Sequence, residues 1–398
     1  MGALFFLLLL VLVQDFVYFC ILKLSLMRKS NHKLTRITIK GFKSISYDKP
    51  VDLEIGDVNI FLGANGAGKS NIVSFFKMVG YMMTGSLQQF IAKSGTNQKF
   101  LYYGAKKTPT LSAEIRFEGN NSYDIYRFYL TNAVPNRLIV SSEEIEWEGT
   151  NDESSKIIQL KSDFNESALV NHKGKPSNIV WDILSGCKVY QFSDSSAESP
   201  MRQASPKDSA NYLQSEANNL ASFLLFLKNN FNESYDRIVS YIREVVPQFK
   251  DFYLEPDNGY VSLKWMDTSA NDYVLSSDQF SDGSIRFIAL ATLLLQPEET
   301  MPRVIIIDEP ELGLHPYAID QLTEMMKDAS LHAQIIVATQ SPALIDGFDA
   351  DDVTVVERDE DNQCTVARKL NGNDYSEWLN EYTLSELWNK NVIGGRPV

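Results

Sequence analysis

The sequence has few of the side chains that build disulfide frameworks or metal clusters. Its 398 residues include three cysteines and four histidines, and Cys20, Cys187 and Cys364 are widely spaced along the chain. Disulfide-stabilised proteins use cysteine densely, and zinc sites place cysteines in close pairs. We therefore expect a protein of a reducing compartment, the cytoplasm, with neither a disulfide framework nor a cysteine-based metal site.

Positive charge and long helical repeats are also scarce. The chain has 37 lysines and arginines against 51 aspartates and glutamates, a formal net charge of −14. Proteins that coat nucleic acid by overall attraction carry the opposite sign, so this balance favours protein partners, and nucleic acid would need a local basic groove. Sustained heptads are absent from the sequence, which excludes long coiled-coil arms. Apolar residues make up 44% of the chain, enough for a large core.

Residues 1–27 form an apolar extension that does not fit the rest of the sequence. Its apolar run is interrupted by Gln14 and Asp15. A membrane-spanning helix of about 20 apolar residues would have to bury Asp15, and a signal peptide would need a basic start and a small-residue cleavage site. We favour a start artefact, with translation beginning at Met27, over a membrane anchor, and we do not expect a membrane partner.

The most informative stretch is residues 63–70, which meet the whole phosphate-loop pattern G-x-x-x-x-G-K-[ST]. An apolar run that suits a buried strand, Val58–Leu62, precedes it, and a helix can start after it. Glycines let backbone N–H groups converge on phosphate oxygens, and the helix N-terminus adds its positive dipole end. Lys69 would reach the β- and γ-phosphates of ATP, and the Ser70 hydroxyl would complete a Mg²⁺ shell. The predicted nucleotide-binding residues are Gly63, Ala64, Asn65, Gly66, Ala67, Gly68, Lys69 and Ser70.

A second segment ends in paired acids. The apolar residues Val304–Ile307 run directly into Asp308 and Glu309. Such a run is typical of a central parallel strand, and ligands bind at the carboxyl edge of parallel sheets. Asp308 would hold Mg²⁺ directly or through water, and Glu309 would position or deprotonate the attacking water. The alternative, an acidic cap on a strand, is weakened by the phosphate loop in the same chain.

A third motif lies between these two. Ser281 and Gly283 belong to a short polar segment before the apolar helical run Ile285–Leu295. Serine and glycine at a helix N-terminus can bind an anion without a lysine, although Ser-Asp-Gly is also an ordinary helix-capping turn. Three motifs in this order resemble the ABC-type ATPases, whose signature motif Ser281 and Gly283 would match, with Asp282 replacing a glycine. The resemblance implies that this pair faces the phosphate loop of a second subunit.

Shorter segments narrow the resemblance to the RecF/SMC/OLD group of these ATPases. They are Ile39–Ile45, Glu309–Pro316, Ile335–Pro342, and Asn71, which would join the nucleotide site. Over residues 33–397 the chain is similar to small stand-alone ATPases of the AAA_21 type. The resemblance implies an α/β fold: a P-loop ABC-type ATPase head with a mixed central sheet, an antiparallel β-subdomain and an inserted helical subdomain, without coiled-coil arms.

The resemblance also implies roles for four further residues. Lys43 would lie beside the nucleotide. Gln340 stands where a histidine is usual, so it would hydrogen-bond a γ-phosphate or water without carrying charge, which suits slow turnover. Gln191 ends a strand where these proteins place a glutamine that touches Mg²⁺ and water, and an ordinary surface glutamine is the alternative. His315 either senses the γ-phosphate from the facing subunit or packs against Pro316.

Changes of periodicity divide the chain. Alternating strand patterns over about 105–165 predict the β-subdomain, and a helical period over about 205–250 predicts the inserted helices. The signature and the acidic strand fall within 275–345. We therefore expect an ATPase domain over 28–350, followed by a hairpin and an aromatic helical tail over 351–398.

The tail is unusually aromatic. Trp378 and Trp388 either close over the ATPase core or form a docking surface for an effector. Gly394 and Gly395 cannot continue a helix, so the last residues should leave it as a short extended segment. We hypothesise that these glycines and Arg396 serve a partner rather than the fold.

These observations favour an ATP-binding and ATP-hydrolysing dimeric switch, an ATP-dependent homodimer or higher homo-oligomer. It would use ATP and Mg²⁺ and control a separately encoded effector or DNA-processing partner, and the resemblance places such ATPases in anti-phage defence or genome maintenance. One alternative, favoured only by the apolar extension, is the nucleotide-binding subunit of a membrane transporter. Another is the ATPase half of a split OLD-type nuclease, because the 56 residues after Pro342 are too few for a TOPRIM nuclease domain.

Overall fold

The structure is a computed structural model that describes residues 31–119, 122–149, 155–161, 163–270 and 273–396. The prediction for residues 1–27, a start artefact or a membrane anchor, lies outside the described residues. Over the described ranges, none of the helices combines the length and the apolar character needed to cross a bilayer.

Strands and helices follow one another along the described chain. The strands are β1 (Lys33–Lys40), β2 (Val51–Glu54), β3 (Val58–Leu62), β4 (Thr110–Gly119), β5 (Ser122–Ala133), β6 (Arg137–Glu148), β7 (Lys156–Gln159), β8 (Cys187–Tyr190), β9 (Ser205–Pro206), β10 (Phe249–Tyr253), β11 (Tyr260–Val261), β12 (Lys264–Asp267), β13 (Val274–Ser276), β14 (Val304–Asp308), β15 (Gln334–Thr339), β16 (Val353–Asp359) and β17 (Cys364–Lys369). The α-helices are α1 (Lys69–Met83), α2 (Leu87–Lys93), α3 (Lys175–Ser185), α4 (Leu220–Asn230), α5 (Asn232–Val245), α6 (Asp282–Leu294), α7 (Pro316–Ala329), α8 (Pro342–Ile345), α9 (Ser376–Leu379) and α10 (Leu384–Asn389).

The central sheet is mixed, as the resemblance implies, with the strand order β17–β16–β3–β15–β14–β8. Neighbouring strands from β16 to β8 are parallel, and β17 returns antiparallel beside β16. Apolar cores cover both faces of this sheet, which explains the continuous apolar runs of β14 and β15. The hairpin β16–β17 belongs to this sheet, so the central sheet continues past residue 350.

A second sheet, β2–β1–β4–β5–β6–β7, is antiparallel throughout. Its long strands β4, β5 and β6 are the alternating segments that the sequence predicts. The strands β1 and β2, which precede the phosphate loop in sequence, also pair within this sheet. The apolar side chains of this sheet and of α1 share one core with Val304, Ile306 and Ile336 of the central sheet. Helix α1 therefore lies between the two sheets.

The opposite face of the central sheet supports the helical part of the chain. Ile305 and Ile307 of β14 pack into a core that contains the buried faces of α4 to α7. Neighbouring residues of a strand point to opposite faces, so β14 supplies alternate side chains to the two cores. Small sheets, β10–β12–β13 and β9–β11, complete this part. The apolar faces predicted for the inserted helices are buried: Leu220, Phe223, Leu224 and Leu227 on α4, and Tyr235, Ile238, Val239 and Ile242 on α5.

The C-terminal tail packs against the same core. Leu384, Leu387 and Ile393 are buried together with Trp388. Closure over the core is therefore confirmed for Trp388, whereas Trp378 is 46% exposed.

The last residues take part in the fold, which contradicts the part of the hypothesis that gave them no role there; their use by a partner stays a prediction. The guanidinium of Arg396 donates to the backbone oxygen of Asn389 at the end of α10. Gly395 forms hydrogen bonds with Ala64 and Glu357. These contacts make the turn at the end of the tail part of the folded protein.

The side chain of Gln334 connects the two large sheets, and its removal should destabilise the protein. Its amide accepts from the Leu34 N–H (2.9 Å) and donates to the carbonyls of Leu34 (2.8 Å) and Gly56 (3.0 Å). Gln334→Leu removes the partner of the buried Leu34 N–H and carbonyl, at a cost of about 1–3 kcal/mol each, whereas the Gly56 carbonyl keeps its hydrogen bond from Asn59. We expect the free energy of unfolding, measured by urea titration, to fall by about 2 kcal/mol or more.

The matched control is Gln203→Leu, because Gln203 is exposed. This substitution should change the free energy of unfolding by less than about 0.5 kcal/mol. Equal effects of the two substitutions would contradict a role for Gln334 in joining the sheets.

Candidate nucleotide-binding site

The phosphate-loop segment begins where β3 ends, and atoms of the hairpin β16–β17 come very close to it. A Cβ atom at Gly63 would lie 2.2 Å from the carbonyl oxygen of Val356, and one at Gly68 would lie 2.1 Å from Oγ1 of Thr365. Gly68 also has a φ of +114°, which L side chains rarely adopt. Glycine at both positions therefore lets the loop pack against β16 and β17.

Lys69, the first residue of α1, is buried. Its Nζ donates to the carbonyl oxygens of Gly63 (2.7 Å) and Ala64 (3.0 Å). Burial lowers the pKa of Lys69, although the carboxylates of Glu309 and Asp308 act in the opposite direction. The ammonium is thus folded back on neutral carbonyls, and charged phosphate oxygens would be stronger acceptors.

The remaining loop residues form an open turn. Asn65, Gly66 and Ser70 are exposed, and Ala67 is buried. Gly66 has a φ of +84° with open space around its Cβ position, so its backbone conformation rather than crowding favours glycine. The N–H of Ala67 donates to the carbonyl of Ala64 (3.2 Å) and closes the loop. A ligand can therefore reach the exposed part of this turn.

The two predicted acids follow β14 at the same edge of the sheet. Asp308 ends β14, and Glu309 has a φ of +49° while its N–H donates to the carbonyl of Ala338 (2.8 Å). Burial raises the pKa of Asp308, and the neighbouring Glu309 raises it further; burial also raises the pKa of Glu311. Among the described residues, Asp308 Oδ1 and Glu311 Oε2 are buried without a hydrogen-bond partner. Desolvated, unpaired carboxylate oxygens of this kind fit a cation.

The donor set suits Mg²⁺ bound together with phosphate. The described part of the chain has no group of three or more histidine, cysteine, aspartate or glutamate side chains that could hold a metal ion. Mg²⁺ usually keeps several waters and takes one or two protein oxygens together with phosphate oxygens. Asp308 and Ser70 are the residues that would supply those protein oxygens.

Gln340 and Thr339 each donate a hydrogen bond to one of the acids after β14. The Nε2 of Gln340 donates to Glu309 Oε1 at 3.4 Å, and the neighbouring Thr339 donates through Oγ1 to Glu311 Oε1 at 2.6 Å. Because β15 lies beside β14, the residues after the two strands meet at one edge. The sequence-based interpretation gave no role to Glu311. Its position as the third acid of the segment Asp-Glu-Pro-Glu could have indicated that it belongs to the site.

Lys43 and Asn71 hold the loop after β1 against α1. Lys43 donates through Nζ to the hydroxyl of Ser74 on α1 at 2.6 Å. Asn71 donates through Nδ2 to the hydroxyl of Ser44 at 2.6 Å, and Ser44 is hydrogen-bonded to Thr365 at 2.7 Å. Both predicted residues therefore lie next to the phosphate loop, engaged with neighbouring side chains.

Gln191 and His315 are both exposed. Gln191 follows β8 at the carboxyl edge of the central sheet, and its N–H donates to the carbonyl of Ser215 (3.2 Å). His315 is the N-cap of α7, where its Nδ1 accepts from the N–H of Tyr317 at 3.4 Å. Helix capping is a role for His315 that neither sequence-based alternative included.

Ser281 and Gly283 begin α6. Ser281 is the N-cap, and its Oγ accepts from the N–H of Ser284 at 3.1 Å. A Cβ atom at Gly283 would lie 2.5 Å from the carbonyl oxygen of Gly313, so glycine lets α6 approach the loop after β14. Ser281 is exposed, which leaves this helix N-terminus accessible while the serine caps the helix.

Arg286 connects two loops of the site, and the sequence-based interpretation missed it. It lies on α6, and its guanidinium donates to the carbonyls of Phe192 (3.0 Å), Ser193 (2.6 Å) and Leu312 (2.9 Å). The first two follow Gln191, and the third lies in the loop after the paired acids. The sequence does distinguish Arg286, because it is the one charged residue in the apolar run 285–295, and this could have indicated a buried or structural role.

Comparison with known proteins gives a family and a fold. The model of the AAA_21 family, described as "AAA domain, putative AbiEii toxin, Type IV TA system", matches residues 58–346, more than half of the chain. Septu protein PtuA of Bacillus mycoides (strain KBAB4) is 24% identical over 350 residues, which cover 85% of this chain and 42% of that protein. The chain therefore spans less than half the length of this curated relative.

Among solved structures, a crystal structure of an SMC head bound to the C-winged helix domain of ScpA is similar in fold. The two chains are 15% identical, with a TM-score of 0.58, and the match covers 86% of this chain and 99% of the SMC head. An ATPase head of this architecture agrees with the α/β fold that the sequence predicts.

The buried carboxylate of Glu311 should make the ligand-free site unfavourable at neutral pH. A raised pKa means that the charged form of Glu311 is disfavoured in the folded protein. The free energy of unfolding therefore falls as pH rises above the pKa of glutamate in the unfolded chain, about 4.3. Glu311→Gln should raise the melting temperature by about 1–3 °C at pH 7.5 in EDTA, with no gain near pH 4. Glu324→Gln, an exposed control on α7, should change neither value. A lower melting temperature for Glu311→Gln at pH 7.5 would contradict this prediction.

Proposed function

Because the chain belongs to the AAA_21 family, we propose that it binds ATP with Mg²⁺ and hydrolyses ATP as a dimeric switch. One observation supports this proposal most directly: three adjacent parallel strands bring Lys69, Asp308, Glu309 and Gln340 to one sheet edge, where Asp308 ends its strand and the others follow theirs. A buried ammonium facing paired carboxylates is suited to a phosphate and a divalent cation bound between them.

Each of these residues has a chemical role in the proposal. Lys69 would move from the loop carbonyls to the β- and γ-phosphates, while Ser70 and Asp308 hold Mg²⁺. The metal would neutralise charge on the phosphates. Glu309 would accept the proton of the attacking water, and Gln340, which already donates to Glu309, would orient that water without carrying charge.

Dimerisation is the second part of the proposal. Ser281 and Gly283 lie at the accessible N-terminus of α6, where backbone N–H groups and the helix dipole favour an anion. In an ABC-type arrangement this N-terminus would bind phosphates held by the phosphate loop of a second copy, and His315 would face the same nucleotide. Two nucleotides would then lie in the interface of a homodimer or a larger homo-oligomer.

The output of the switch is the third part. We propose that ATP turnover controls a separate effector or DNA-processing partner in the cytoplasm, in anti-phage defence or genome maintenance. The similarity to a Septu protein and the toxin–antitoxin wording of the family description support a defence role. With a net charge of −14, a protein effector fits better than direct coating of nucleic acid.

Substitution of the proposed base should separate ATP binding from hydrolysis. Glu309→Gln should retain binding and lower phosphate release by about 10²-fold or more, as loss of a positioned base does. Lys69→Ala should weaken binding of a fluorescent ATP analogue, because it removes the ammonium that faces the phosphates. The control Glu324→Gln should leave both measurements unchanged. Wild-type hydrolysis by the Glu309→Gln protein would remove Glu309 from this role.

Mixing two inactive variants should restore activity if the site is shared. Ser281→Arg would block the signature by its bulk, and Lys69→Ala would disable the phosphate loop, so each homodimer lacks both complete sites. A mixed dimer keeps one complete site, with up to about half of the wild-type hydrolysis per dimer. We would measure phosphate release against mixing ratio and detect mixed dimers by two affinity tags. Mixed dimers that form but stay inactive would contradict a shared site.

A further inference from the structure

The end of the tail contacts the phosphate loop directly. The carbonyl oxygen of Gly395 accepts a hydrogen bond from the N–H of Ala64 at 3.0 Å. A Cβ atom at Gly395 would lie 3.8 Å from the Cα of Gly63, so the backbones of the turn and the loop are in contact. More than 300 residues of sequence separate the two segments.

Two side chains of the hairpin β16–β17 hold this turn in place. Glu357 on β16 accepts from the N–H of Gly395 at 2.6 Å, and Arg368 on β17 donates to the carbonyl of Ile393 at 2.7 Å. The side chain of Ile393 is fully buried. Strand β16 pairs with β3, which leads into the phosphate loop. The hairpin β16–β17 therefore contacts both the strand before the loop and the turn that bonds to the loop.

The backbone of the turn requires glycine at both positions. Gly394 and Gly395 have φ values of +78° and +82°, which disfavour L side chains. A Cβ atom at Gly394 would lie 2.8 Å from Glu357 Oε1, and one at Gly395 would lie 2.8 Å from Cγ1 of Val355 and 3.2 Å from Nε1 of Trp388. Any side chain here would push the turn away from the phosphate loop.

The contact determines how Ala64 is oriented. The N–H of Ala64 is bonded to the turn, and its carbonyl accepts from both Lys69 Nζ (3.0 Å) and the N–H of Ala67 (3.2 Å). In the proposed function Lys69 would move to a phosphate and this carbonyl would lose one donor, whereas the bond to the turn is made by a different atom, the Ala64 N–H. The turn is therefore placed to hold the start of the loop independently of the bond that Lys69 makes.

The same tail also contacts the other side of the site. Helix α10 packs against α8, which begins two residues after Gln340. The N–H of Ser385 at the start of α10 donates to Asp346 Oδ1 at 2.7 Å. The tail thus forms hydrogen bonds both to the phosphate loop and to the end of α8, the helix after Gln340.

We propose that Gly395, held by Glu357, is a positioning element of the nucleotide site that acts through Ala64. It does not touch the nucleotide. It keeps the first peptide groups of the phosphate loop in the orientation that binds phosphate, so a loosened turn lowers nucleotide affinity. This inference rests on the proposed function, because it assumes that the loop binds ATP.

Binding and stability measurements on four variants test the proposal. Gly395→Ala displaces the turn, Glu357→Ala removes its acceptor, and Glu357→Gln keeps an oxygen acceptor. Gly259→Ala is the matched control, because Gly259 has the same φ of +82° but no heavy atom within 4 Å of its Cβ position. The readouts are the Kd of a fluorescent ATP analogue with Mg²⁺ and the melting temperature without nucleotide. If Gly395→Ala fails to fold, the Glu357 pair supplies the comparison.

We expect Gly395→Ala and Glu357→Ala to weaken nucleotide binding by about threefold to tenfold, the range for losing one hydrogen bond. Glu357→Gln and Gly259→Ala should stay within about twofold of the wild type. Equal Kd values for Glu357→Ala and Glu357→Gln, or for Gly395→Ala and Gly259→Ala, would overturn the positioning role while leaving the proposed ATPase intact. Failure of the wild-type protein to bind the analogue would overturn the proposed function and this inference with it.

Discussion

The order of strands in the central sheet is the constraint on which the site depends. The strands β3, β15 and β14 are parallel and adjacent, so their carboxyl ends lie side by side. The phosphate loop follows the first strand, Gln340 the second, and the paired acids end and follow the third. Ligands bind at this edge of open α/β sheets because backbone and side chains from several strands converge there.

That convergence places charges in a poorly solvated environment. Burial lowers the pKa of Lys69 and raises the pKa of Asp308 and of Glu311, so the charged forms of all three are disfavoured by desolvation. Among the described residues, one carboxylate oxygen of Asp308 and one of Glu311 are buried without a hydrogen-bond partner. Functional sites often accept such local costs, which a bound cation and phosphate would relieve.

Most of the fold and the centre of the site can be predicted from the sequence, because the patterns that indicate them are local. A phosphate loop between an apolar strand and a helix is contiguous, and so is an apolar run that ends in Asp308 and Glu309. The long strands β4 to β6 and the buried faces of α4 and α5 follow from periodicity, which depends only on near neighbours. Ser281 at a helix N-terminus is also a local pattern, although the observed capping role and the proposed anion-binding role use the same residues.

Other parts were decided only by tertiary structure, because their partners are distant in sequence and bond through backbone atoms. Arg286 donates to carbonyls of the loops after β8 and β14, and any residue type could supply those carbonyls. From the sequence, Gly394 and Gly395 indicate only that a helix has ended. In the structure their positive φ values bring the carbonyl of Gly395 to the Ala64 N–H. The sequence by itself determined the P-loop ATPase architecture and its catalytic candidates, since those depend on residue type and spacing. The three-dimensional fold decided which backbone groups meet around them, because a backbone hydrogen bond leaves no mark on residue identity.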